Sequence, residues 1–322
     1  MRSLRWVGLL ALYVGAQAVA LLLAEPFRSA GLATNSDPQS ATAPLEIILI
    51  IVLAPLLILY LARRQGGLAA LRQLILFGIA ASLFITLYAT LSVFPPGLIL
   101  LPPYPAELVI DTALILAAII SASLYLALLM EPQWYVVDFV GFLAAGSLIA
   151  ILGISFSILP AFILLVALLI YDAIAVYGTK HMVSLAEVVT DMKLPILLVM
   201  PDSGGYDYTA APTLKEQRAQ PVEQREALFM GLGDVVIPGT MVVSAFVWLP
   251  THPLVLGIGG NLWGGIGALV GSLVGYAVLM RLVLRGNAQA GLPFLNGGAL
   301  AGYILAYLLV FHSFTLGLTG GL

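Results

Sequence analysis

The stretch GLGDVVIPG, residues 231–239, puts Asp234 just after two glycines and four residues ahead of Pro238, where a long apolar run begins. A carboxylate in that place is costly if the surrounding solvent is lipid, and the composition says that it is. Of 322 residues, 61% are hydrophobic and 9% charged, where a soluble domain carries about a quarter charged residues. The mean hydropathy is +1.08. A net charge of −3 suggests neither nucleic acid nor another strongly charged partner. The absence of cysteine excludes disulfides, thiolate metal sites and a cysteine nucleophile.

At about 20 apolar residues per crossing, the chain divides into nine helices. They run near 4–24, 44–62, 68–94, 106–130, 134–157, 158–178, 229–249, 254–284 and 291–317. The first follows a basic start like that of a signal peptide. Its apolar run of about 20 residues exceeds the 7–15 of a typical leader, so it reads as a retained span. The fifth and sixth are nearly continuous and are split around Ser157 and Pro160, because the whole run is too long for one crossing. Segments 25–43 and 95–105 are rich in Pro, Ser and Thr, as turns require. The expected fold is an all-α, multi-pass membrane protein of the cell membrane in three parts. Helices one to six fill 1–178, a polar loop fills 179–228, and helices seven to nine fill 229–322. Most of that loop reads as a solvated, partly disordered linker.

Basic residues give the orientation. Arg2, Arg5, Arg63, Arg64, Arg72, Lys180, Lys193, Lys215, Arg218, Arg225, Arg281 and Arg285 all fall on one face under nine spans, and only Arg28 falls on the other. The positive-inside rule then makes the N-terminus and the 6–7 loop cytoplasmic and the C-terminus external.

Four carboxylates lie inside the expected spans: Asp111, Asp138, Asp172 and Asp234. Each costs at least about 2.5–3.5 kcal/mol at a helix centre, so each needs a partner or a task. Asp111 and Asp138 sit about a turn from an interface and read as hydrated or capping acids. Asp172 lies eight residues before Lys180 on a descending helix, and Asp234 nine residues after Arg225 on an ascending one. At 1.5 Å of rise per residue both stand roughly 12–13 Å inside the cytoplasmic interface. Two antiparallel neighbours thus offer one carboxylate each at matching depth.

Such a pair has a chemical use. Two close carboxyls share a proton, so the ionised member can draw a proton from water while the protonated one donates to a carbonyl oxygen. That chemistry needs no cofactor and no metal. The rival chemistries are thin: HExxH is absent, His181, His252 and His312 lack ligand spacing, and no GxSG serine motif occurs. Gly231 and Gly233 remove side chains beside Asp234. Pro238 cannot donate to the Asp234 carbonyl, which loosens helix seven there. Tyr171 offers a phenol beside Asp172. The segment GLPFLNGG, 291–298, opens helix nine from the same face, and its proline and glycines predict an irregular backbone.

Together, YDAIAVYGTKHMV (171–183), GLGDVVIPG and the proline opening helix nine resemble the presenilin and signal peptide peptidase family of intramembrane aspartyl proteases. The resemblance implies nine spans, catalytic Asp172 and Asp234 from the YD and GxGD motifs, Gly231, Leu232 and Gly233 within the second motif, and Pro293, Phe294 and Leu295 as the PAL-like third. Phe294 departs from that motif's alanine. It also implies single-span membrane proteins or signal peptides as substrates in the lipid bilayer, with homo-oligomerisation left open. The wording around Asp234 is closer to the signal peptide peptidase branch, whereas the charges give the presenilin orientation. Glycines of helix eight at 260, 264, 267, 271 and 275 suit tight helix packing better than a nucleotide loop. Two alternatives remain: a proton-coupled secondary transporter using the same acids as a relay, and a prepilin-peptidase-like membrane protease. Against the first, no inverted repeat is visible. Against the second, Val236 stands where a lysine is expected.

Overall fold

The computed structural model describes residues 2–62, 66–93, 112–179, 185, 190, 192–212, 216, 220, 224–285 and 289–318. Among them are nine apolar helices: α1 (Arg2–Ser29), α2 (Ala43–Ala62), α3 (Gly67–Val93), α4 (Thr112–Met130), α5 (Trp134–Ser155), α6 (Ile158–Ala173), α7 (Leu232–Trp248), α8 (Gly260–Val283) and α9 (Leu292–Phe311). Eight are long and apolar enough to cross a bilayer, and α7 has the composition but only 17 residues. Asp111, the 95–105 segment, Arg63, Arg64, Lys180, His181, Lys215 and Arg218 lie outside the described residues.

Packing separates a core from a lipid-facing rim. α5 lies between α1 and α7; α7 continues the contact to α8 and α6, and α9 closes against α8 and α6. α2 is peripheral and turns Leu45, Leu49, Ile50, Leu53, Leu56 and Leu57 outward, a face that only lipid solvates without cost. Glycine sets the tightest approaches. A Cβ at Gly267, Gly271 or Gly275 would run into the backbone of α9 at Gly302, Gly298 or Phe294. The glycines of this helix therefore serve close packing, in keeping with their spacing.

The α5–α6 split falls where Ser157 and Pro160 place it. Phe156 and Ser157 are extended, Ser157 is the N-cap of α6, and Pro160 sits in the first turn, where its missing N–H costs nothing. The carbonyls freed at the end of α5 are taken by α7: Ser244 Oγ donates to Phe156 O at 2.9 Å and Trp248 Nε1 to Gly153 O at 3.0 Å.

Five expectations need correction. The 6–7 segment is not simply a linker, and the fold is mostly helical but not all-α. β1 (Leu197–Pro201) pairs antiparallel with β2 (Ala227–Gly231), with Leu197 opposite Gly231 and Pro201 opposite Ala227. Residues 229–231 thus belong to a strand and not to the start of helix seven; a short apolar run has no period that tells strand from helix. Apolar residues hold this segment down. Met192, Leu194, Val199, Tyr206 and Tyr208 are buried in one cluster with Val137 and Val140 of α5. Asp207 accepts the Thr209 hydroxyl at 2.6 Å and the Gln133 amide at 3.1 Å, which holds its carboxyl down at about 2. Helix eight likewise starts at Gly260, not 254, after a small hairpin of β3 (Leu254–Val255) and β4 (Ile258–Gly259). Helix nine stops at Phe311, not 317, because His312 adopts a left-handed C-cap at φ 51°.

Candidate active site

Asp172 and Asp234 arrive at the site from opposite helix ends. Asp172 is the second-last residue of α6, just before a π-helical turn over Ile174–Gly178. Asp234 is the third residue of α7, directly after β2. α6 and α7 pack together, and the two carboxyls are close enough to interact electrostatically.

Each carboxylate is fixed by backbone at a helix N-terminus. In α7 the N-cap is Gly231, which has no side chain to offer, and Asp234 at the third position turns back toward the Gly231 amide. That is half of a capping box. α9 is also capped by a glycine, Gly291. Here the acceptor comes from another helix: Leu292 N–H donates to Asp172 Oδ2 at 3.0 Å, with the Gly291 amide beside it. The same glycine faces the second acid. A Cβ on Gly291 would lie 2.6 Å from Asp234 Oδ1 and 2.8 Å from its Cγ. The turn before α9 therefore touches both acids, through an amide on one side and through the missing side chain on the other.

The remaining residues named from the sequence divide. Leu232 is buried and its N–H donates to Ile196 O at 3.0 Å, adding a rung to the sheet just ahead of Asp234. Gly233 opens on space: a methyl there would find no heavy atom within 4 Å, so an approaching chain meets no side chain. At Gly231 a Cβ would meet Asp234 Oδ2 at 3.4 Å, an ordinary contact. Tyr171 is half-buried and packs on the main core beside Asp172. Pro293, Phe294 and Leu295 lie in the first turn of α9, already helical, so the irregular backbone expected around Pro293 ends at Gly291. Phe294 packs its carbonyl on Gly275 of α8, and Leu295 is fully buried.

Several contributors are not legible in the sequence. Gly291 and Leu292 are the residues of the third motif region that reach the acids. Tyr177, carried round by the π-helical turn, donates its hydroxyl to Gln289 Oε1 at 2.9 Å and accepts the Ala290 amide at 3.2 Å. It thereby holds the approach to Gly291. Asn296 ties α9 to α6 by donating to Leu165 O at 3.0 Å in the buried interior. Asp138, read as a hydrated or capping acid, is 5% exposed and accepts the Val199 amide of β1 at 2.7 Å. It does cap backbone, but that of a strand.

Comparison with known proteins gives the family. A family model described as signal-peptide peptidase, presenilin aspartyl protease matches residues 10–312. Two solved structures of a presenilin family intramembrane aspartate protease, in C222 and P2 crystals, are similar to the chain at 30% identity and a TM-score of 0.63. The first alignment covers 95% of this chain and 99% of that one; the second covers 94% and 97%. No curated protein sequence matches. None of these similarities supports the transporter or the prepilin-peptidase alternative. The chain belongs to the signal-peptide peptidase and presenilin family of intramembrane aspartyl proteases: a multi-pass membrane protein and an aspartic endopeptidase.

Proposed function

We propose that Asp172 and Asp234 are the catalytic dyad, cutting peptide bonds within single-span membrane proteins or signal peptides. The observation that carries this is the turn at Gly291–Leu292, which contacts both carboxyls at once. With one proton shared between them, the ionised carboxyl takes a proton from water as the oxygen attacks the scissile carbonyl carbon, and the other protonates the carbonyl oxygen. Collapse of the gem-diol breaks the C–N bond. The proton taken from water passes to the leaving nitrogen, a gem-diol hydroxyl returns its proton to the other carboxylate as the C=O bond re-forms, and the dyad is back in its single-proton state. Tyr171, Gly231, Leu232, Gly233, Pro293, Phe294 and Leu295 support the pair: Gly233 leaves the approach open, Leu232 ends the sheet, and the α9 turn fixes the carboxyls.

A helical substrate has its scissile carbonyl occupied, so it must be drawn out locally, and its freed groups need partners in lipid. Strand addition supplies them. Leu232 N–H to Ile196 O and Asp202 N–H to Glu226 O put the even-numbered residues of β1 toward β2. By the alternation of antiparallel pairing, the backbone groups of Leu197, Val199 and Pro201 point the other way. Asp138 and α5 cover that edge at Val199. On β2 the outward groups belong to Ala227, Phe229 and Gly231, and the Gly231 amide already points at Asp234. A strand added there leads into the carboxyls. The orientation follows the basic residues: N-terminus and 6–7 segment cytoplasmic, C-terminus outside, in the cell membrane. The decisive experiment is cleavage of a single-span substrate by purified enzyme. Retained cleavage by Asp234→Asn would exclude the dyad.

A further inference from the structure

The first turn of α1 lies on the open end of the β1–β2 sheet. Arg5 reads in the sequence only as an orienting charge, yet it is 6% exposed. Its Nε lies 3.1 Å from Asp202 Oδ1, one residue beyond β1, and its Nη1 donates to Arg225 O at 2.6 Å, two residues ahead of β2. One planar guanidinium holds both strand ends, at the rung where Asp202 N–H meets Glu226 O at 2.8 Å. A turn further on, Gly8 packs against the Met200 side chain of β1. The Tyr276 hydroxyl donates to Trp6 O at 2.9 Å and anchors this end of α1 to α8. From the far edge, Asp138 holds the Val199 amide.

An orienting charge needs only to stay near the interface, and any Lys or Arg at the helix start serves. Burial and two divergent bonds are a different requirement. A rigid fork meets it, and a point charge on a flexible stem does not. A two-stranded sheet alone is marginal, so its persistence without substrate depends on such anchors.

We propose that Arg5 is a positioning residue that keeps the β1–β2 sheet formed in the substrate-free enzyme, so that the outer edge of β2 is ready for an extended substrate. The inference rests on the strand-addition reading. Preorganisation removes an ordering cost from binding, so losing Arg5 weakens substrate capture while the chemical step proceeds as before.

The test uses two versions of one single-span substrate, identical except that the second carries N-methylated amides at alternate positions beside the cut. Wild type is expected to show a lower KM for the first. Arg5→Met is expected to raise that KM roughly tenfold, to the level of the second substrate, with kcat for both unchanged. Amide exchange in β1 and β2 of the substrate-free variant should quicken by about the same factor. Asp202→Ala, at a 48% exposed partner, removes one anchor and should give the same pattern at reduced size, which keeps the test available if Arg5→Met does not fold. If wild type treats both substrates alike, strand addition itself is wrong. If wild type discriminates and both variants discriminate equally well, or exchange in the sheet is unchanged, the role of Arg5 is overturned. Equal losses on both substrates would also overturn it, as general destabilisation.

Discussion

Gly291→Ala tests the site at its narrowest contact. Gly291 has φ −79° and ψ −48°, ordinary helical values that alanine adopts without strain. The added methyl would instead press on Asp234, at 2.6 Å from Oδ1, 2.8 Å from Cγ and 3.0 Å from Oδ2. Ordinary contact begins at 3.4 Å, so the carboxyl or the turn must yield by about 0.8 Å. The turn is held by Leu292 N–H on Asp172 and by Tyr177 on Ala290, so the displacement passes to the Asp172–Asp234 geometry. A misplacement of about 1 Å costs on the order of 100-fold in rate, or about 2.7 kcal/mol of transition-state stabilisation. Stability should fall by at most about 2.6 kcal/mol. Overpacking costs about 1–3 kcal/mol, and the gain from replacing glycine returns about 0.4–1 kcal/mol. The assay is kcat and KM for a single-span substrate with purified enzyme, beside the thermal midpoint. Gly297→Ala is the control, because its methyl would come no nearer than 3.9 Å to Leu169. A Gly291→Ala enzyme with kcat within about threefold of wild type would refute the claim that this turn sets the dyad geometry.

Asp172→Asn and Asp234→Asn should each abolish cleavage and the binding of hydroxyl-bearing transition-state mimics, with the thermal midpoint preserved. Residual turnover in either variant would point to different chemistry. Because one acid must be ionised and the other protonated, kcat/KM should fall on both sides of an optimum pH, and a one-sided profile would speak against a shared proton. In this cysteine-free chain, Ser203→Cys should label only from the cytoplasmic side and Ser36→Cys only from outside. Reversed labelling would overturn the orientation argument. Pro293→Ala should lower turnover more than stability, because the proline ring stops α9 from extending back over Gly291. Its effect should be larger on a substrate with a leucine run at the cut than on one with Gly or Pro, and equal effects would show that unwinding is not limiting.

What the sequence disclosed follows from local physics. Apolar length located the helices, and the α5–α6 split was readable because Ser157 and Pro160 act within one turn. The expectation that Asp172 and Asp234 share a depth needed only a count of residues from the nearest basic side chain. What stayed hidden depends on distant partners. The strand at 227–231 is apolar and runs straight into α7, so nothing local separates it from helix. Its identity comes from Leu197–Pro201, on the far side of a polar segment. Gly291 looks like one more glycine in a loop, because its meaning lies in an aspartate on another helix. Asp138 and Arg5 are legible in the sequence only as a hydrated or capping acid and as a basic flank. Which backbone each serves is a tertiary fact.

The shortness of α7 ties these features together. Seventeen residues give about 25 Å of helix rise, short of the roughly 30 Å of a hydrocarbon core. The missing length is occupied by β2, so extended backbone and the Asp234 carboxyl stand at the same level. Extended backbone at that depth is tolerated in lipid only if its polar groups are met by protein. β1 meets one edge of β2, Asp138 meets the far edge of β1, and Asp234 itself takes the Gly231 amide at the remaining edge. An enzyme that cuts helices has to offer a substrate the same partners when its own helix opens. The exchange of helix for strand at residue 231 places extended backbone beside the two carboxyls that we propose perform the cut. A seventh helix extended by one more turn toward its N-terminus would span the bilayer better and leave the unwound substrate nothing to pair with.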